Sequence, residues 1–137
     1  PEMKEKLSDF EGGYSTEEET KETIGGTYKS TGYVMDTHTA VAAHVSRAYR
    51  DASKDQKKML VASTSSPYKF ASSVMTSIDE KYDELEEFAL IDELEKVSGV
   101  AIPNAIEEIR NAQIRHTKEC DADKMKETVK EILGVEE

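Results

Sequence analysis

The chain is short of several things, and each shortage narrows what it can do. It has one cysteine, Cys120, so no disulfide can close within it. That count fits a reducing compartment, and a cytoplasmic location is the expectation. No apolar run approaches the roughly 20 residues that span a bilayer, and no signal-peptide pattern is present. A membrane is not an expected partner. Basic residues are scarce: 18 Lys and Arg stand against 29 Asp and Glu, a net charge of −11. A phosphate backbone would be repelled, so nucleic acid is not an expected partner either. Histidine is limited to His38, His44 and His116. No His-x-x-x-His, no Cys-x-x-Cys and no cluster of acids at ligand spacing occurs, so no metal site is expected. Repeats, low-complexity tracts and a glycine-rich phosphate loop are missing. The 137 residues amount to one domain or part of one. The opening proline is consistent with a processed or trimmed chain.

What is present centres on the stretch from Lys57 to Phe70. Two lysines lead into Met59-Leu60-Val61-Ala62, an apolar run without alternation. That pattern predicts a strand covered on both faces, as in a parallel sheet. Four hydroxyl residues follow, Ser63-Thr64-Ser65-Ser66, and Pro67 then opens a helix. Ser66 suits the N-cap and Pro67 the first helical position, where its missing N–H costs nothing. The stretch thus reads as strand, tight turn, helix. In open α/β sheets, ligands sit beyond the carboxyl ends of strands, where Ser63, Thr64 and Ser65 would lie.

Around this unit the pattern is helical. A short helix is expected before Gly12-Gly13. Ser15 to Glu18 reads as a capping box with a helix from Thr16 to about Ser30, weakened or broken at Gly25-Gly26 by roughly 1 kcal/mol per glycine. A short extended segment, Gly32 to Met35, precedes Asp36, which caps a helix from Thr37. Val41, Val45, Ala48, Tyr49 and Ala52 form the apolar stripe of that helix. The helix from Pro67 to about Ile78 carries Phe70, Val74 and Ile78. From Asp79 to Lys96 there are nine acids and two lysines, a net of −7. Leu85, Phe88, Ala89, Ile91, Leu94 and Val97 keep a helical stripe through that run, so the charge reads as a solvated face. Gly99 closes the helix. Pro103 opens another with Ile106 and Ile109 inward, and Ile114 to Cys120 is a candidate edge strand. Asp121 or Asp123 caps a last helix that ends at Gly134. The count is about six helices and one clear strand. Buried strands need neighbours, because an unpaired buried backbone group costs about 1–3 kcal/mol. The inference is that other strands lie in sequence outside this chain, and that the chain is a fragment.

Several residues are candidates for chemistry. Ser66-Pro67-Tyr68-Lys69 matches Ser-x-x-Lys of serine acyltransferases, but the companion Ser-Asp-Asn and Lys-Thr-Gly elements are missing. A capping serine and a solvent lysine explain it. Lys69 lacks the desolvated or cationic sequence context that a Schiff-base lysine needs. His38 stands in the first turn of its helix, either as structure or as site lining. Thr64 is open between two roles. It bonds the turn backbone, or it meets a heteroaromatic ring nitrogen with a neutral hydroxyl.

Two segments together resemble a known family. Gly32-Tyr33-Val34-Met35-Asp36-Thr37-His38-Thr39-Ala40-Val41-Ala42 is similar to a Gly-Tyr-x-x-Asp-Pro-His-Thr-Ala-Val-Ala segment. Ser63-Thr64-Ser65-Ser66-Pro67-Tyr68-Lys69-Phe70 is similar to Ser-Thr-Ala-(His/Ser)-Pro-x-Lys-Phe. Both occur, in this order and at about this separation, in the carboxyl-terminal part of threonine synthases. The run from Ser98 to Pro103 and the Asp123 to Glu127 segment look like the same family's tail. Thr37 and Ser65 depart from the usual proline and alanine, and Gly25-Gly26 is also unlike the family.

The resemblance implies an α/β, predominantly helical chain: a C-terminal fragment of a fold-type II, tryptophan-synthase-β-like enzyme that uses pyridoxal 5′-phosphate. It implies conversion of O-phospho-L-homoserine and water to L-threonine and phosphate. The Schiff-base lysine and phosphate cradle would lie upstream, so residues 1–137 would hold no catalytic lysine and would be inactive alone, the rest of the same polypeptide being needed. Thr64 matches the hydroxyl that meets the pyridine nitrogen, with Ser63 and Ser65 shaping the pocket floor. Asp36 and His38 match a segment near the cleft. The competing expectation is a self-contained acidic helical interaction module without catalysis.

Overall fold

A computed structural model describes residues 2–135, and among these every regular element is a helix. In chain order they are α1 (Glu2–Lys6), α2 (Glu17–Thr31), α3 (Thr37–Ser53), α4 (Ala71–Ile78), α5 (Glu87–Ser98), α6 (Asn104–Arg110) and α7 (Met125–Leu133). Short 3-10 turns at Pro67–Phe70, Glu80–Glu84 and Ala122–Lys124 lead into or link them.

Local chemistry sets most of the boundaries. Thr16 caps α2, its hydroxyl accepting from the Glu19 N–H while the Glu19 carboxylate accepts from the Thr16 N–H at 2.8 Å. The capping box is therefore Thr16–Glu19, one residue later than the Ser15–Glu18 reading. Asp36 caps α3 as the sequence predicts, and Ser66 caps the Pro67 turn. Gly32, Gly99 and Gly134 end α2, α5 and α7 with positive φ, where a side chain would be strained.

The core lies where α2, α4 and α5 meet, with the start of α3 against α2. Ile24 of α2, Ala40 of α3, Val74 and Met75 of α4, and Leu94 of α5 are wholly buried. Val34 and Met35 join them from the α2–α3 link, with Tyr68, Tyr82, Leu90 and Ile91 closing the sides. α2 runs unbroken through Gly25-Gly26, contrary to the expected break. Packing explains it: a Cβ on Gly25 would sit 2.4 Å from the Ser77 carbonyl oxygen, so the glycine lets α4 approach α2 backbone to backbone.

The expected parallel strand is not formed. Met59 to Ala62 is irregular and Leu60 is 100% exposed. The two segments that might have flanked it do not pair with it. Tyr33 to Met35 tucks Val34 and Met35 into the helical core, and Ile114 to Cys120 is irregular and exposed. Without a neighbouring edge, a strand's backbone groups gain nothing over water, and apolar sequence alone cannot hold the extended ladder. The α/β assignment is thus corrected to all-helical for the described residues, with the predominantly helical part of the reading intact.

Other inward faces also differ. The buried side of α3 is Thr39 and Ala40, with Ala43 packed against the core, while Val45 is half-buried and Ala48, Tyr49 and Ala52 are exposed. The acidic run is two pieces, the Glu80–Glu84 turn capped by Asp79 and then α5, which turns Leu90, Ile91 and Leu94 inward. None of its nine acids is buried. Ile106 of α6 packs on the core, but Ile109 is exposed. α6 is held to α5 by Arg110, whose guanidinium donates to Asp92 at 2.7 Å and lies over the Phe88 ring. α7 has no buried residue.

Candidate functional site

The site residues expected from sequence come from the start of α3 and from the hydroxyl run before α4. Asp36 connects them. Its carboxylate is 1% exposed, and every polar contact it makes is local or to the hydroxyl run. Oδ1 accepts from the N–H groups of His38 at 2.9 Å and Thr39 at 3.2 Å. Oδ2 accepts from the Thr39 hydroxyl, and the Ser63 hydroxyl lies 3.4 Å away. Ser63 Oγ is closer to Thr39 Oγ1, at 2.8 Å. Burial works against charge on Asp36. The Thr39 hydroxyl, the two backbone donors and the nearby His38 outweigh it and hold the carboxyl below its ordinary range.

His38 is exposed, with Nδ1 3.5 Å from Asp36 Oδ1 and its ring 5.5 Å from that of Phe70. Lys69 Nζ sits over the same Phe70 ring. The 3-10 turn is anchored from below by Tyr68, which is buried and donates its hydroxyl proton to the Val100 carbonyl. Burial pushes the Tyr68 phenol up from its usual value. The stretch from Ser63 to Tyr68 is thereby tied at both ends, Ser63 to Thr39 of α3 and Tyr68 to the loop after α5.

Asp36 contacts both His38 and Ser63. Thr64 is exposed, and its hydroxyl has no partner among the described residues; Ser65 is half-buried beside it. Sequence reading missed Thr39, which bridges Asp36 and Ser63 alongside their own longer contact. The Asp-x-x-Thr spacing across the first turn of α3 was the available signal, since an N-cap carboxylate also reaches the side chain three residues on. Among the described residues no three His, Cys, Asp or Glu side chains gather as a metal site would require.

The arrangement offers a row of neutral hydroxyls backed by one buried, fully occupied carboxylate. Such a wall can hydrogen-bond a ligand's ring nitrogen or hydroxyl without supplying charge. A search of curated proteins finds no match. The family described as "Threonine synthase, C-terminal" matches residues 39–132, which takes in Thr39 and the whole Ser63–Ser66 run, with Asp36 and His38 just ahead of it. The match covers well over half of the chain and agrees with the resemblance of its two motifs, so the chain belongs to the threonine synthase C-terminal family.

Proposed function

We propose that this chain is the carboxyl-terminal portion of a threonine synthase that uses pyridoxal 5′-phosphate to turn O-phospho-L-homoserine and water into L-threonine and phosphate. The family match over residues 39–132 carries the reading. Pyridoxal phosphate, when bound, delocalises the electron pair left on carbon as C–H bonds break. One feature of the residues present supports that cofactor. The Thr64 hydroxyl is exposed, and the Asp36 carboxylate, which the neighbouring Ser63 contacts, is buried with both oxygens engaged. A ring nitrogen here meets a neutral hydroxyl rather than an anion.

In this reading Thr64 binds the ring nitrogen, Ser63 and Ser65 shape the floor, His38 lines the cleft, and Asp36 lies buried behind Ser63 in its wall. The lysine and phosphate cradle that complete the site belong to the preceding part of the same polypeptide, and the 137 residues alone are inactive. The partners are that polypeptide and the phosphorylated amino-acid substrate, not nucleic acid or membrane. No helix among the described residues is long and apolar enough to cross a bilayer. The enzyme is assigned to the cytoplasm.

The test is an assay of the intact gene product with O-phospho-L-homoserine. It is expected to release phosphate and threonine in equal amounts, while this chain with added cofactor gives neither. A mature product of this length, or an intact protein that releases no phosphate, defeats the reading.

A further inference from the structure

The hydroxyl of Thr39 has one proton, and the Asp36 carboxylate can only accept, so that proton goes to Asp36 Oδ2. Thr39 Oγ1 is then left as an acceptor. Ser63 Oγ, 2.8 Å away, must be the donor to it. The single Ser63 proton is spent on this contact, with Asp36 at a longer 3.4 Å. The result is a chain of fixed polarity, from Ser63 to Thr39 to the anionic Asp36. Chains of this kind strengthen each link, and the charged end sets the direction of every proton along it. Two consequences follow for Ser63. Its position is tied to a helix whose own first turn is held by the same carboxylate. It also faces outward with lone pairs only, so any ligand group it meets must donate.

We propose that Thr39 is a positioning residue. Through Ser63 it holds the turn that presents Thr64 to the cofactor, and it makes Ser63 an acceptor. This rests on the threonine synthase reading only for the identity of what Thr64 meets; the coupling between α3 and the turn stands on the geometry. Thr39 is buried and touches no reacting group, so its effect is indirect. Ser63 is its contact with the site, and no other described residue of α3 hydrogen-bonds to the turn apart from the Asp36–Thr39 pair.

The experiment uses the intact gene product stripped of cofactor and titrated with pyridoxal phosphate, binding being read from the absorbance of the bound cofactor. Thr39→Val keeps the shape and removes the hydroxyl; Thr39→Ser restores it; Ser63→Ala cuts the same contact from the exposed side and needs no core adjustment. Thr39→Val and Ser63→Ala are each expected to weaken binding about tenfold, the size of one hydrogen bond with a charged end. The double variant is expected to weaken it no further than either alone, and Thr39→Ser to stay within about twofold of the parent, because the chain of bonds is re-formed. Thr64→Val serves as the reference. If Thr64→Val weakens binding while Thr39→Val and Ser63→Ala do not, or if the two effects add, the positioning role falls and the cofactor reading stands. If Thr64→Val binds like the parent, the cofactor reading falls and takes this inference with it. A Thr39→Ser variant as weak as Thr39→Val also overturns it, since packing rather than the hydroxyl would then be at work.

Discussion

Gly25 and Gly26 are neighbours in the same helix, yet alanine at the two positions is expected to shift stability in opposite directions. In an isolated helix each replacement gains about 1 kcal/mol, because glycine loses the most backbone freedom on folding. Gly26 is exposed, and a Cβ there meets nothing within 4 Å, so Gly26→Ala keeps that gain. At Gly25 the same Cβ lies 2.4 Å from the Ser77 carbonyl oxygen, about 1 Å inside the 3.4 Å at which ordinary contact begins. The obstacle is backbone, so it cannot swing aside; α2 and α4 have to part. Ile24, Val74 and Met75 are fully buried where these helices meet. A radial gap of 0.5–1 Å forfeits roughly a quarter to a half of each dispersion contact it opens. Forcing a methyl group into a filled core usually costs about 1–3 kcal/mol, which exceeds the propensity gain at most of that range. Gly25→Ala is thus expected to destabilise by up to about 2 kcal/mol and Gly26→Ala to stabilise by about 0.5–1 kcal/mol. Urea unfolding followed by far-ultraviolet circular dichroism reads both midpoints. Two variants that move the midpoint the same way would show that α2 and α4 do not touch at Gly25.

The remaining expectations concern the α3 start and the irregular run. Asp36→Ala removes an N-cap and leaves the buried Thr39 hydroxyl without its acceptor, a loss of about 2–4 kcal/mol in chemical denaturation; a loss under 0.5 kcal/mol would contradict the burial of Asp36. Acid sensitivity follows from the same group. Its folded pKa lies below the unfolded value, so its stabilisation is complete above about pH 4 and is lost as pH falls through the lower folded value. The stability gap between the parent and Asp36→Asn is therefore expected to shrink only below about pH 4, and a gap that does not change down to pH 2 refutes it. Leu60→Asp is expected to change the stability of this chain by no more than about 0.5 kcal/mol, because Leu60 is fully exposed. A large loss in the same denaturation assay would mean that the apolar run is packed.

Residue order alone set those features that lie within one helical turn of their cause. Asp36 before Thr37, Ser66 before Pro67 and the terminal glycines Gly99 and Gly134 set boundaries through contacts no more than a few residues long, and the structure keeps them. The two ordered motifs likewise identified the family, since family identity is a property of residue order. The rest depends on contacts between distant parts of the chain. Met59 to Ala62 has the composition of a buried strand, but a strand exists through its neighbours, and none of the described residues supplies an edge. Gly25 is a weakness of α2 by propensity alone, but the Ser77 carbonyl pressed against it makes it the residue that fits. Thr39 and Ser63 are 24 residues apart, and nothing in the local pattern of either announces the other. Their hydrogen bond arises because α3 and the hydroxyl run are brought to one place by the packing around α2 and α4, a long-range result that no short window of residues contains.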